Sequence, residues 1–546
     1  MSSPEIDTWT GLPPEIKTSI CQYLDNKDLK ALRLTNSSFS ASVTLRLPRV
    51  YLSLHPRDIA VFKAIADHPL RQQVTEIVYD DARLPRLFPL SAEEQEQRRV
   101  NPLNNEDETE EYDEINRLNE VSHGEGGMPI CPVEKWYCER LEETADDARR
   151  RYSKMSPKRY PVVTERALKT AARPDAKVSL GLYQKLYKEQ VKTAEVDADI
   201  EALRYGIGRF PALKRITITP AAHGALYSPR YHTPTIRSLP FGLNYVLPRG
   251  WPYRDGNFVH YTPAWPRAPM QSLAAEEHRM LWRGVVSILQ VLAQQPHLVP
   301  PELVFDVHGL NTGLNPHMLG QPSVDYDNLA TVLQRGLRRL DLPIIIGGLE
   351  DEGWDPLING NFRSLLEKAP GLEHFRLRAD ASDNESSFPP LQSMLPVETW
   401  KNLRHFGISE FVVDVDDLTS TLALLPKSLR SVELTFLSFV GVNGHYRALF
   451  DAMKTRLDWP SWPSGQRPTV IAALPDYLFH PESTCGIWIS DAVNEFLYGD
   501  DGENPIQWGD NRVHYGVGTM KDELDCDWEL PNLQRQDLFR LGHYSE

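Results

Sequence analysis

The stretch Ala369-Pro370-Gly371-Leu372-Glu373-His374-Phe375-Arg376-Leu377 decides the fold. Breaker residues come first, then a Leu, then apolar residues at every second position. Pro and Gly end a preceding helix, and alternation with period two predicts a short strand with one face turned inward. The phrase recurs as Phe210-Pro211-Ala212-Leu213-Lys214-Arg215-Ile216-Thr217-Ile218 and as Trp400-Lys401-Asn402-Leu403-Arg404-His405-Phe406-Gly407-Ile408. It appears again as Leu425-Pro426-Lys427-Ser428-Leu429-Arg430-Ser431-Val432-Glu433-Leu434. Looser copies lie at 303–307, 337–346 and 469–474. The anchors Phe375, Phe406 and Val432 are unevenly spaced, so the repeat is irregular.

Helical stretches are predicted between the copies, at 282–294, 329–336, 362–368, 418–425 and 446–457. Successive parallel strands need a crossover of about this length, so the pattern predicts a right-handed strand–helix solenoid. The same unit opens the chain's main body. A strand is predicted over 50–54 and a helix from Pro56 with Ile59, Phe62 and Ala66 on one face. Pro69 ends it, and a second strand follows over 74–79. That strand–helix–strand unit falls within the ~20–29-residue period of leucine-rich repeats.

The chain has 546 residues, 43 of them Pro, and a formal net charge of -16. An acidic chain is a poor partner for nucleic acid. No apolar run approaches the ~18 residues of a membrane span, and the first residues lack the pattern of a secretory signal. Five Cys are too few for a disulfide scaffold and suit a reducing, cytoplasmic or nuclear compartment.

The N-terminus carries the most specific signal. Leu12-Pro13-Pro14-Glu15-Ile16 opens a helix, with Pro tolerated in the first turn and Glu15 suited to the dipole. Ile16, Ile20 and Leu24 form a stripe beside Tyr23. A second helix carries Leu29 and Leu32, and a third short segment carries Phe39 and Val43. Three helices of this size cannot bury all their apolar residues internally, and the remainder reads as an interaction face.

The pattern Leu12-Pro13-x-Glu15-Ile16-x3-Ile20-x2-Tyr23-Leu24, followed by Asp28-Leu29-x2-Leu32-Arg33-Leu34, resembles the F-box. It departs from the family at Asn36-Ser37-Ser38-Phe39, where many members have Cys-Lys-x-Trp. The resemblance implies a three-helix module that docks on the Skp adaptor of cullin–RING ubiquitin ligases. It assigns Leu12, Pro13, Ile16, Ile20, Tyr23, Leu24, Leu29 and Leu32 as adaptor-facing or packing positions. Leu247-Pro248-Arg249-Gly250-Trp251-Pro252 and Trp282-Arg283-Gly284 resemble segments of fungal F-box proteins with degenerate repeats.

The fold class that follows is α/β. A three-helix F-box at 8–48 leads into a first strand–helix–strand unit at 49–79. An acidic and helical insertion occupies 80–208, and an irregular leucine-rich-repeat-like solenoid spans 209–474. A C-terminal cap at 475–546 covers the end such a stack exposes. The first insertion begins with an acidic run at 106–114 and continues as helices at 136–153 and 182–203. The latter carries Leu182, Leu186, Tyr187, Gln190 and Ala194 at helical spacing. The second insertion, 219–270, holds nine Pro and nine aromatics. Its length marks it as functional or disordered and its aromatics favour packing, so Trp251, Tyr253, Tyr261 and Trp265 are the candidate substrate-binding residues.

The sequence offers little catalytic chemistry. It has no nucleophile elbow, metalloprotease motif, phosphate loop or dinucleotide fingerprint. Cys131 and Cys138, with His123 upstream, lack the second ligand pair of a structural zinc site. Asp306, His308 and His317 are isolated on strand–turn segments. Asp414-x-Asp416-Asp417 reads as a helix cap. The basic cluster from Arg149 to Arg159 reads as a helix face answering nearby acids, with a nuclear import signal as the alternative. Lys521-Asp522-Glu523-Leu524 spells a retention tetrapeptide in an internal position, where it is not read.

The resemblance therefore implies a non-enzymatic substrate receptor that needs no metal or cofactor. It binds a Skp-type adaptor and, through it, a cullin, and recruits a protein substrate; neither nucleic acid nor membrane is a partner. Two alternatives stand beside it: a Skp-bound scaffold outside a ligase, and an enzyme or ligand-binding protein with its site in 219–270.

Overall fold

The computed structural model describes residues 12–24, 26–35, 37–86, 132–153, 155–252, 265–268, 273–295, 297, 300–346, 349, 353–380, 387–441, 444–475, 485–500, 502–507 and 512–544. The acidic run at 106–114, together with Cys131, Tyr253 and Tyr261, lies outside them.

The protein is a mixed α/β chain built on one large, mostly parallel sheet. Nine parallel strands stand side by side in chain order: β1 (Arg49–Ser53), β2 (Glu76–Asp80), β3 (Arg215–Thr219), β4 (Glu302–Phe305), β5 (Arg339–Pro343), β6 (His374–Arg378), β7 (His405–Ser409), β9 (Ser431–Thr435) and β11 (Thr469–Pro475). Two-residue strands β8 (Val412–Val413) and β10 (Ser438–Phe439) pair with each other beyond the ends of β7 and β9. The sheet then turns antiparallel through β12 (Cys485–Trp488), β13 (Thr519–Asp522) and β14 (Glu529–Pro531).

The repeated phrase fixes the register. Ile216, Leu303, Leu340, Phe375, Phe406, Val432 and Val470 are ladder partners from strand to strand, and all are buried. Leu342, Leu377, Ile408, Leu434 and Ala472 form the next buried ladder. Each fully buried large side chain contributes about 1.5–3 kcal/mol. The helices between strands join the same hydrophobic cluster. Ile59 and Phe62 come from helix Pro56–Asp67, Ile288 and Leu292 from Arg283–Gln294, Leu365 and Leu366 from Asn361–Leu366, and Leu449 and Phe450 from Tyr446–Arg456. Asp414 caps helix Val415–Ala423 by accepting from the amides of Asp416 (2.9 Å) and Asp417 (3.0 Å).

The first insertion departs from its sequence reading in two respects, the first being an additional helix, Pro161–Ala171. The single helix expected over 182–203 is two, Ala176–Glu195 and Ala198–Gly206. The break is at Asp197, whose φ of 47° is left-handed; an L-residue in that region does not continue a helix. The side chains that go deepest are Leu180, Tyr183 and Gln190, while Leu182, Leu186 and Tyr187 flank them. This helix packs with Tyr137 and Leu141 of helix Pro132–Ser153 and with Leu243 and Tyr245 of the second insertion. The two insertions thus share one small core.

Candidate functional site

Three places gather chemistry: the N-terminal helices, a buried node under the second insertion, and the polar face of the sheet.

The N-terminal module has three short helices, Pro14–Gln22, Asn26–Thr35 and Ser37–Ser42. Arg46, just downstream, ties it together. Its guanidinium donates to the carbonyls of Cys21 (2.5 Å) and Leu24 (2.6 Å), where the first helix ends. The Asn26 amide bonds both ways with the Arg46 backbone. Little of the module is buried: Leu29 and Val43 are covered, and Leu12, Leu24 and Leu32 are half-buried. Pro13 is exposed. Ile16 (48% exposed), Ile20 (40%), Tyr23 (88%) and Leu34 (87%) are open to solvent. Ile16 and Ile20 stand one turn apart and share a helix face.

The second insertion folds inward. Trp251 and Trp265 are buried, and each indole N–H donates to a buried carboxylate. Trp251 reaches Asp81 Oδ2 (2.8 Å) and Trp265 reaches Asp325 Oδ2 (2.9 Å). Neither presents a surface to a substrate in this structure. The two segments singled out in the sequence, 247–252 and 282–284, converge here. Arg283 forks onto Asp199 at 2.8 and 3.0 Å, and Tyr79 OH donates to the same carboxylate at 2.6 Å. Burial pushes the Asp81 carboxyl above its ordinary range, and the Arg83 charge and the Trp251 bond oppose the rise. A Cβ on Gly284 would lie 2.5 Å from the Tyr79 ring and 2.6 Å from the Asp81 carboxyl carbon; one on Gly250 would meet the Asp81 carbonyl oxygen at 1.9 Å. Only glycine allows so close an approach. This node pins the end of β2 to both insertions.

The polar face is the other half of the repeat's alternation. Arg49, Glu76, Arg215, Glu302, Arg339, His374 and His405 occupy one row of register partners. Neighbours pair along it: Arg49 with Glu76 (2.7 Å) and Arg215 with Glu302 (2.6 Å). Arg339 grips Asp341 with two bonds, at 2.6 and 2.9 Å. The rings of His374 and His405 stack at 4.0 Å. His374 Nε2 lies 3.1 Å from Asp341 Oδ1 and His405 Nε2 lies 3.7 Å from Glu433 Oε2. Arg376 pairs with Glu433 at 2.7 Å. Burial, and then the neighbouring His374, push His405 down to about 3, so it is neutral at pH 7. Burial works against the Asp341 charge, but His374 and Arg339 outweigh it and hold the carboxyl below its ordinary range.

Beyond the strand ends the same face closes on a hub. Arg378 bonds Glu410 at 2.5 and 3.0 Å and Glu523 at 2.7 Å. Burial pushes Glu410 up to about 7; Arg378 opposes the rise, and the charges of Glu523 and Asp380 add to it. Burial pushes His308 down to about 4, and nearby Asp306 opposes the fall. Glu410 (φ 48°) and His308 (φ 47°) both have left-handed backbone, a costly state that clusters where structure serves function.

The hub residues Arg378, Glu410 and Glu523 were missed in the sequence. The one available signal was the polar half of the phrase His374-Phe375-Arg376-Leu377-Arg378, which alternation places opposite the core. Of the other sequence candidates, Cys138 is half-buried and His308 joins the hub. Among the described residues no group of three or more His, Cys, Asp or Glu is placed to hold a metal ion, and no helix is long and apolar enough to cross a membrane. Arg149 pairs with Asp146 (2.8 Å) and Glu142 (3.6 Å), as a helix face answering acids requires. No family model matches the chain, and no curated protein matches it either.

Proposed function

We propose that this chain is an F-box-type substrate receptor. Its N-terminal helices dock on a Skp-type adaptor, and an irregular leucine-rich-repeat-like solenoid carries a protein substrate toward a cullin–RING ligase. The observation that carries the reading is the exposed apolar stripe Ile16–Ile20, with Tyr23 and Leu34, on a module that has almost no core of its own. Such a surface is what a helical partner covers. The strands laid down in chain order, with their helices in one hydrophobic cluster, support the solenoid. The chain's contribution is then proximity between substrate and the ubiquitin-carrying partner, with no chemistry of its own.

The test is a pull-down with purified Skp-type adaptor and cullin. Wild-type protein is expected to retain both. Ile16→Asp with Ile20→Asp is expected to weaken adaptor binding by ~100-fold or more, because interface energy concentrates in a few buried anchors. Adaptor retention unchanged by the double substitution overturns the reading. Adaptor without cullin favours a scaffold outside a ligase.

A further inference from the structure

The repeat phrase carries a second signal, which the core does not use. Two positions separate its Leu from the first apolar residue of the strand. They read Lys214-Arg215, Arg338-Arg339, Glu373-His374, Arg404-His405 and Arg430-Ser431. Six of these ten residues are Lys or Arg and one is acidic, in a chain with 59 Lys+Arg against 75 Asp+Glu. The bias therefore belongs to the phrase and is opposite in sign to the chain.

The fold turns this bias into a row. The strand starts are joined through the backbone: the amide of Glu302 donates to the carbonyl of Lys214 (3.0 Å) and that of Arg338 to Pro301 (2.7 Å). The amide of Glu373 donates to Arg338 (2.7 Å), that of Arg404 to Glu373 (2.7 Å) and that of Arg430 to Arg404 (2.8 Å). The basic positions of β3, β5, β7 and β9 thus line one rim of the sheet, and Lys214, Arg338, Arg404 and Arg430 are exposed there. Arg215 pairs with Glu302 and Arg339 with Asp341, while Arg338 lies 3.4 Å from Glu373. Lys214, Arg404 and Arg430 make no ion pair among the described residues.

We propose that this rim, from β3 to β9, binds an extended acidic peptide segment of a partner protein. Neighbouring strands are ~4.8 Å apart, so Lys214, Arg338 and Arg404, on every second strand, repeat at about 10 Å. A peptide in the polyproline II form rises ~3.1 Å per residue with about three residues per turn. Every third side chain therefore returns to the same face after about 9 Å. Carboxylates three residues apart each meet a cation, and the uncharged residues between them pass Glu302 of β4 and Glu373 of β6. A nucleic acid fits less well, because it carries a charge at every nucleotide and sets phosphates against those two glutamates. Exposed charges of this kind steer encounter and set register more than they add affinity, and salt screens them. The proposal needs neither adaptor nor ligase, so it stands or falls apart from the reading of the N-terminal helices.

The experiment follows the fluorescence anisotropy of a labelled seven-residue peptide against the full-length protein at low salt. The peptide has Glu at its first, fourth and seventh positions and Pro and Ser between. Wild type is expected to bind it about tenfold more tightly than a peptide of the same composition with its Glu residues at the first three positions. Lys214→Glu with Arg404→Glu reverses two exposed charges and is expected to weaken the spaced peptide by about tenfold, with near-ultraviolet circular dichroism unchanged. Added salt is expected to erase both differences. Equal binding of the two peptides by wild type overturns the proposal, and that comparison stands even where the double variant fails to fold. Binding unaffected by the double substitution in a folded variant also overturns it. Tighter binding of a single-stranded oligonucleotide than of the peptide overturns it in favour of nucleic acid. Self-association of wild type that the double variant loses overturns it in favour of a second copy. No peptide binding by wild type, as when the chain's own acidic run at 106–114 holds the rim, overturns it outright.

Discussion

The N-terminal module and the hub at the strand ends are unfinished in opposite ways. The module leaves Ile16, Ile20, Tyr23 and Leu34 in water; the hub takes Arg378 out of water. The module is too small to bury its apolar surface by folding over itself. Buried charge is resolved within the chain, because an unpaired ion in a low-dielectric interior is far costlier than an exposed leucine. The module is therefore the surface proposed above for a partner. The hub points to its own C-terminal segment, which supplies Glu523.

Four substitutions break or sharpen that contrast. The largest effect belongs to the sheet core that both regions hang from. Phe406→Ala removes a fully buried ring between Phe375 and Val432 and is expected to cost about 3–5 kcal/mol in denaturant unfolding. Next comes Gly284→Ala, which forces a methyl against Tyr79 and the Asp81 carboxyl; an expected loss of about 1–3 kcal/mol will appear as a lowered Tm. The hub gives a pH signature. Glu410 sits at about 7 when folded against an ordinary 4.5, so its contribution to stability is whole below pH 4.5 and is lost as pH rises through about 7. Arg378, Glu523 and Asp380 are the charged groups that act on it. Glu410→Gln is expected to flatten the fall in stability across that window by on the order of 1–3 kcal/mol, read from unfolding midpoints at several pH values. An unchanged slope would show that Glu410 titrates normally. The smallest effect is expected where the module is open: Ile16→Asp alone should shift stability by less than ~0.5 kcal/mol, since the side chain has little cover to lose.

The repeat phrase was legible because alternation and a breaker are local properties. Phe375, Phe406 and Val432 could be aligned by eye, and they are ladder partners. The three N-terminal helices were legible for the same reason. The length of the second insertion points to function, which makes Trp251 and Trp265 candidate substrate contacts. Trp251 and Trp265 are instead buried against Asp81 and Asp325, and nothing in a local window announces carboxylates so distant in the chain. The segments around Gly250 and Gly284 stood out in sequence, but their reason, a close approach to one strand end, needs both insertions in place. The helix break at Asp197 also escaped notice, since Asp is ordinary at helical positions until its backbone turns left-handed.

The sequence by itself determined the nine parallel strands, their inward residues and the main helices between them, since each follows from breakers and periodicity within about ten residues. It also determined that the N-terminal helices carry more apolar surface than they can bury. Only the tertiary structure decided where the charges go. Arg378 finds Glu410 and Glu523, and Arg166 finds Asp525, because burial makes each ion depend on a partner that the fold, not the neighbouring sequence, brings within reach.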